Sequence, residues 1–93
     1  MAEATHQPRT TVARFDIEDG VILRLPAGSK IVSVAWYDDG ARMWVANDPM
    51  LPKVSRKVRM LTTGLDVYGD NWECVGTIFG PRKQLWHVFI ETE

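Results

Sequence analysis

The chain holds two histidines, His6 and His87, and one cysteine, Cys74, which leaves little material for nucleophilic chemistry. Such catalysis needs a Ser or Cys beside a base, and a third group to orient that base. His6 falls in a polar stretch next to Pro8, so His87 is the remaining base. It sits in the apolar strand pattern Leu85-Trp86-His87-Val88-Phe89, where a histidine is more often a hydrogen-bonded core or rim residue. Cys74 is expected diagonally across from it, but a buried small thiol is the commoner role for an isolated cysteine. Carboxylates cluster at Asp16/Glu18/Asp19, Asp38/Asp39 and Asp66/Asp70, all in or beside turn signals, where Asp closes on its own backbone. No glycine-rich phosphate loop leads into a helix, and no His/Cys spacing matches a metal site. The residue types argue against an enzyme, a cofactor and a metal.

Binding chemistry is better supplied. The stripe Lys53-Val54-Ser55-Arg56-Lys57-Val58-Arg59 carries four cations in seven residues. On a strand, Lys53, Ser55, Lys57 and Arg59 share one face, which leaves Arg56 among Val54, Val58 and Met60. Guanidinium forks match phosphate geometry, and Thr62, Thr63 and Gly64 follow with hydroxyls and a flexible backbone N–H. The same stripe reads equally as a charged edge strand that discourages sheet-to-sheet aggregation. There are also four tryptophans, Trp36, Trp44, Trp72 and Trp86. Two or three should fill the core, Trp36 first among them. A tryptophan that misses the core is a rigid surface for a ligand or a protein partner, and Trp44, then Trp86, are the leading candidates. The candidate ligand-binding set is Trp44, Arg56, Lys57, Arg59, Thr62, Thr63, Trp86 and His87.

These residues need elements to hold them, and the turn signals define those elements. Breaks fall at Glu18-Asp19-Gly20, Leu25-Pro26-Ala27-Gly28, Asp38-Asp39-Gly40 and Asp48-Pro49-Met50-Leu51-Pro52. Later ones cover 64–71 and Gly80-Pro81-Arg82-Lys83. Each offers an Asp or Asn, a Gly that tolerates positive φ, or a Pro that presets φ. Between them lie runs rich in Val, Ile, Thr and aromatics at 11–17, 21–25, 30–37, 42–47, 54–62, 72–79 and 85–91. The spacing predicts an all-β fold, a small antiparallel sandwich or open barrel of six to seven strands with negligible helix. Residues 1–10 read as a flexible N-terminal tail and 11–93 as a single all-β domain.

Two hairpins allow a register to be set. With Asp39-Gly40 as a two-residue turn, Trp36 faces Met43 and Val34 faces Val45, giving an apolar face that includes Val32. The opposite face sets Tyr37, Arg42 and Trp44 among Ser33, Ala35 and Ala46, a shallow aromatic platform over small side chains. A bulge would shift this pairing. In the second hairpin, a turn at Gly80–Lys83 pairs Ile78 with Leu85, Gly76 with His87 and Cys74 with Phe89. Its other face pairs Thr77 with Trp86 and Val75 with Val88. Both faces are apolar, which calls for cover on each side, by a second sheet and by a second subunit. A homo-oligomer is the expectation.

Bulk properties bound the rest. At 93 residues the chain suits one core, and a domain of this size buries roughly 60–65% of its unfolded surface without staples. A hydrophobic fraction of 45% and a charged fraction of 25% are those of an ordinary globular protein. The net charge of −1 removes the bulk electrostatic case for duplex nucleic acid. A lone cysteine, a start without a basic flank and apolar run, and no stretch of membrane-helix length predict a reducing cytoplasm and no membrane.

In order, Leu25-Pro26-Ala27-Gly28-Ser29-Lys30-Ile31-Val32-Ser33-Val34, Met43-Trp44-Val45, Thr63-Gly64, Val75-Gly76-Thr77-Ile78-Phe79 and Leu85-Trp86-His87-Val88-Phe89 resemble a family of short bacteriophage- and prophage-encoded proteins. The likeness spans roughly residues 12–91. One departure is Leu65, where that family tends to carry a His after the Thr-Gly pair. The resemblance implies a phage origin and the host bacterial cytoplasm, with no activity carried over. Phage genes of this size commonly encode non-enzymatic inhibitors, an analogy of context rather than of site. The first expectation is therefore a homo-oligomer that sequesters a small anionic ligand, such as a cyclic nucleotide messenger of host immunity. In that reading Trp44 or Trp86 stacks on the base, and Arg56, Lys57 or Arg59 with Thr62 and Thr63 holds the phosphate. Second is an inhibitor of a host defence protein acting through an exposed aromatic face, and third a minor virion structural component.

Overall fold

A computed structural model of the chain describes residues 7–93. The first six residues, with His6 and most of the expected tail, lie outside the described residues. Seven strands follow: β1 (Thr11–Ile17), β2 (Ile22–Pro26), β3 (Lys30–Tyr37), β4 (Gly40–Asn47), β5 (Lys53–Leu61), β6 (Trp72–Phe79) and β7 (Leu85–Glu91). One 3-10 turn, Pro81–Lys83, breaks the pattern. The strands form two antiparallel sheets, β1-β4-β3 and β2-β5-β7-β6. Their buried faces meet in one core, with Met43 and Val45 from the first sheet against Leu25, Val58, Ile78, Val88 and Ile90 from the second. Of the two architectures expected, this is the sandwich. Alternation explains why β4 lies central: Ala41, Met43 and Val45 are buried, while Arg42, Trp44 and Ala46 between them are half-buried on the outside.

Both hairpin registers differ from expectation. The first turn is Asp38-Asp39, not Asp39-Gly40, and pairs Tyr37 with Gly40, Trp36 with Ala41 and Val34 with Met43. Asp38 takes φ 56, the left-handed position that Asp tolerates better than most residues. A shift of two preserves which face each side chain occupies. The exception is Val32, which bulges out and is 58% exposed, so that Ile31 sits opposite Val45 in its place.

In the second hairpin the turn is one residue longer than expected. Gly80 N–H donates to Gln84 O at 2.8 Å, and Phe79 pairs with Leu85. That slip turns Ile78 and Gly76 inward with Trp86 and Val88, and puts Thr77 outside beside His87. A bulge at Val75 slips the register back, so Cys74 still faces Phe89 as expected.

The second sheet also supplies its own cover. β5 and β6 both pair antiparallel to β7, which lies between them, so β5 and β6 run parallel. The segment 62–71 must therefore cross β7. It does so on the outer side, where Leu61 is 3% exposed although it faces away from the core. The chain's own crossover thus provides part of the outer cover for which a second subunit was expected.

Candidate functional site

The basic stripe alternates as its spacing predicts, and the consequence is that its cations diverge. Arg56 points into the sandwich at 4% exposure, opposite Leu23. Its Nε donates to Glu91 O at 2.6 Å and its Nη1 to Ser29 O at 3.1 Å, with Glu73 Oε1 4.0 Å from Nη2. Those contacts tie β5 to the end of β7 and to the turn before β3, so the guanidinium expected to hold phosphate is occupied by the protein itself. On the outer face, Arg59 Nε donates to Asp19 Oδ1 at 2.7 Å, and the same oxygen accepts Met60 N–H at 3.0 Å. Partial burial pushes the Asp19 carboxyl up, but the Arg59 hydrogen bond, the Met60 N–H and the charges of Arg59 and Lys57 outweigh it. Together they hold it below its ordinary value. Lys57 alone of the three stays exposed, its backbone N–H bound to Glu91 Oε1 at 2.7 Å.

Three of the expected residues do converge. Thr62, Thr63 and His87 line a cavity of about 330 Å³ between the crossover and β7, with Leu61, Asp66 and Phe89. Thr63 Oγ1 lies 2.8 Å from His87 Nε2 and Thr77 Oγ1 3.5 Å from Nδ1, so the imidazole is held between two hydroxyls. Its partners are therefore threonines rather than the Cys74 thiol. This lining contains a carboxylate and no lysine or arginine, a poor setting for a phosphate. Among the described residues, no group of three or more His, Cys, Asp or Glu is placed to hold a metal ion.

Trp86 lies elsewhere, at the end of the sandwich near the β1–β2 and β3–β4 turns. It lines a second cavity of about 320 Å³ with Trp36, Met60, Ile17, Ala41 and three acidic residues, Glu18, Asp19 and Asp39. Trp36 was expected in the core. Instead it packs against the core's margin, its indole N–H donating to Asp38 O at 3.2 Å.

Trp44 occupies a third place, the middle of the outer face of β1-β4-β3. Its cross-strand neighbours are Arg14 on β1 and Ser33 on β3. Around it the same face carries Ala46 and Val12, then Arg42 paired with Asp16 and Ala35, and Tyr37 at the end of β3. Arg42, two residues before Trp44 on the same strand, has its Nε 3.0 Å from Asp16 Oδ1 on β1. This is the expected platform of large aromatics over small residues. Arg14 completes it and was missed, because only the β1–β4 pairing reveals it. The alternation Val12, Arg14, Asp16 was the available signal. Trp44, Arg14 and Tyr37 line neither of these two cavities.

The candidate residues thus fall at an interior guanidinium, a crossover pocket, a cavity at the turn end and the outer face of β1-β4-β3. No helix among the described residues is long and apolar enough to cross a membrane. Residues 8–93 match the family described as a domain of unknown function, DUF7352, and the chain belongs to that family. No curated protein matches it, and no solved structure does.

Proposed function

We propose that this DUF7352 member is a non-enzymatic binding protein that docks another protein through the outer face of β1-β4-β3, with Trp44 at its centre. The observation that carries the reading is the cross-strand Trp44–Arg14 pair among Ser33, Ala35, Ala46 and Tyr37 on the outer face of the sheet. Trp, Tyr and Arg are the side chains most enriched among interface residues whose removal costs the most. Small molecules favour concave sites that enclose them, and the Trp44 group lines neither of the cavities above. Tyr37 is 54% exposed and Val12 56%, apolar area left uncovered beside a half-buried Trp44. The likeness to phage-encoded proteins favours a bacterial host protein as the partner.

Sequestration of a nucleotide finds less support in the geometry. Arg56 faces inward, Arg59 is paired with Asp19, and the threonine pocket holds Asp66 and no lysine or arginine. The two readings separate in one comparison. Immobilised wild-type protein should retain a bacterial protein, identified by mass spectrometry, that the Trp44→Ala chain does not retain. A melting-temperature rise with a cyclic or linear nucleotide, abolished by Arg59→Ala, would reverse the order.

A further inference from the structure

The cavity at the turn end combines two indoles with acidic side chains, and that combination selects for charge. Trp36 and Trp86 flank Gly80. A Cβ placed there would lie 3.3 Å from Trp86 Nε1 and 3.4 Å from Trp36 Cε3, so both indoles pack closely on that glycine. Ile17, Ala41 and Met60 supply the apolar remainder, and the charged members of the lining are Glu18, Asp19 and Asp39, with no basic residue among them. The three carboxylates differ in what they can offer. Asp19 is held by Arg59 at 2.7 Å, and Asp39 Oδ1 is 3.6 Å from Arg42 Nη2. Glu18 has no ion pair among the described residues and lies on the exposed turn between β1 and β2.

We infer that this cavity accepts an arginine side chain presented by the partner polypeptide, an inference that rests on the protein-binding reading above. A planar guanidinium stacks on an indole and forks onto a carboxylate, and a lysine ammonium does neither as well. Its three methylenes need apolar wall along the stem, which Ile17, Ala41 and Met60 provide. The cavity adjoins the proposed docking face through β3, whose Trp36 lines it while the neighbouring Tyr37 faces outward. A partner covering the Trp44 face can therefore reach it. The charge of the lining chooses the occupant: a cation gains from the Glu18 carboxylate and from the two indoles, and a neutral or anionic side chain does not.

The test titrates the full chain, labelled with ¹⁵N, with N-acetyl-arginine methylamide, and uses the citrulline analogue as a neutral control of the same shape. The chain has four indole N–H groups to follow. Those of Trp36 and Trp86 should move with the arginine compound, while those of Trp44 and Trp72 and the citrulline titration stay unchanged. Glu18→Gln combined with Asp39→Asn should weaken binding about tenfold or more. Both side chains are exposed, so the fold tolerates the changes. Trp44→Ala should leave this titration unaffected. Equal binding of citrulline, unchanged affinity in the double variant, or no movement of the Trp36 and Trp86 resonances would each overturn the inference. The capped amino acid reports on the cavity alone and partner capture on the Trp44 face, so either can fail without the other.

Discussion

Gly76 and Val34 face each other across the interface of the two sheets, and a side chain on Gly76 has no room: its Cβ would lie 2.8 Å from Val34 Cγ2. Gly76 also sits at φ 151, next to the bulge at Val75. The glycine therefore serves two needs, a backbone angle that L residues rarely adopt and a close approach of β6 to β3.

Gly76→Ala should accordingly destabilise the chain by about 2–5 kcal/mol, from overpacking plus backbone strain. Urea unfolding measures it. Adding Val34→Ala should recover the packing share and leave the strain. A loss within about 0.5 kcal/mol, the level of ordinary surface changes, would mean that the sheets separate easily at this point.

Arg56 makes the second prediction. Removing its guanidinium leaves Ser29 O and Glu91 O without the charged donor that joins them in a buried setting. Arg56→Ala should cost about 3 kcal/mol, a drop of more than about 10 °C in melting temperature for a domain of this size. Lys57→Ala, one residue away on the exposed face, should change stability by less than about 0.5 kcal/mol. Equal effects from the two would contradict the inward orientation of Arg56.

Much of this architecture was legible in local pattern, and the failures share a cause. The strands follow because β-branched and aromatic runs alternate between turn residues, and even the inward turn of Arg56 follows from its neighbours Val54, Val58 and Met60. The bulges left signals as well. Ile31-Val32 sets two apolar residues side by side where alternation allows one, and Gly76 interrupts a strand interior. What local pattern could not supply is the order β5-β7-β6, which sends 62–71 across β7 and seats Thr63 against His87. Nor could it join Asp19 to Arg59, forty residues apart. Those contacts depend on non-local pairing, as does the Arg14–Trp44 pair at the centre of the proposed docking face.

The Asp19–Arg59 pair predicts a pH dependence with a definite sign. The Asp19 carboxyl is held below its ordinary value in the folded chain by the Arg59 and Met60 hydrogen bonds and the neighbouring charges. A depressed folded value contributes stability that is present above the unfolded value and is lost as pH falls through the folded one. Asp19→Asn keeps an oxygen for the Met60 N–H and removes only the charge. Wild type should therefore melt above the variant at neutral pH, and the gap should close as pH drops below about 4. A gap that persists unchanged into that acid range would show that the charge of Asp19 is not what Arg59 stabilises.

The Trp44 face gives the prediction closest to function. A half-buried indole lying over small neighbours contributes about 1–2 kcal/mol to the fold, so Trp44→Ala should remain folded with a modestly lower melting temperature. At an interface the same truncation typically costs 2 kcal/mol or more when the residue sits at the centre of the contact, roughly a thirtyfold loss of affinity. Arg14→Ala should also weaken capture, because Arg14 stands directly across the strand from the indole. Ile22→Ala makes the control. Ile22 is equally apolar and 61% exposed, but it lies on β2 of the other sheet. If partner affinity, measured by calorimetry on the purified pair, falls with Trp44→Ala and Arg14→Ala and holds with Ile22→Ala, the binding energy resides on β1-β4-β3. Should Ile22→Ala be the damaging change, the docking face belongs to the second sheet and the role assigned to Trp44 is wrong.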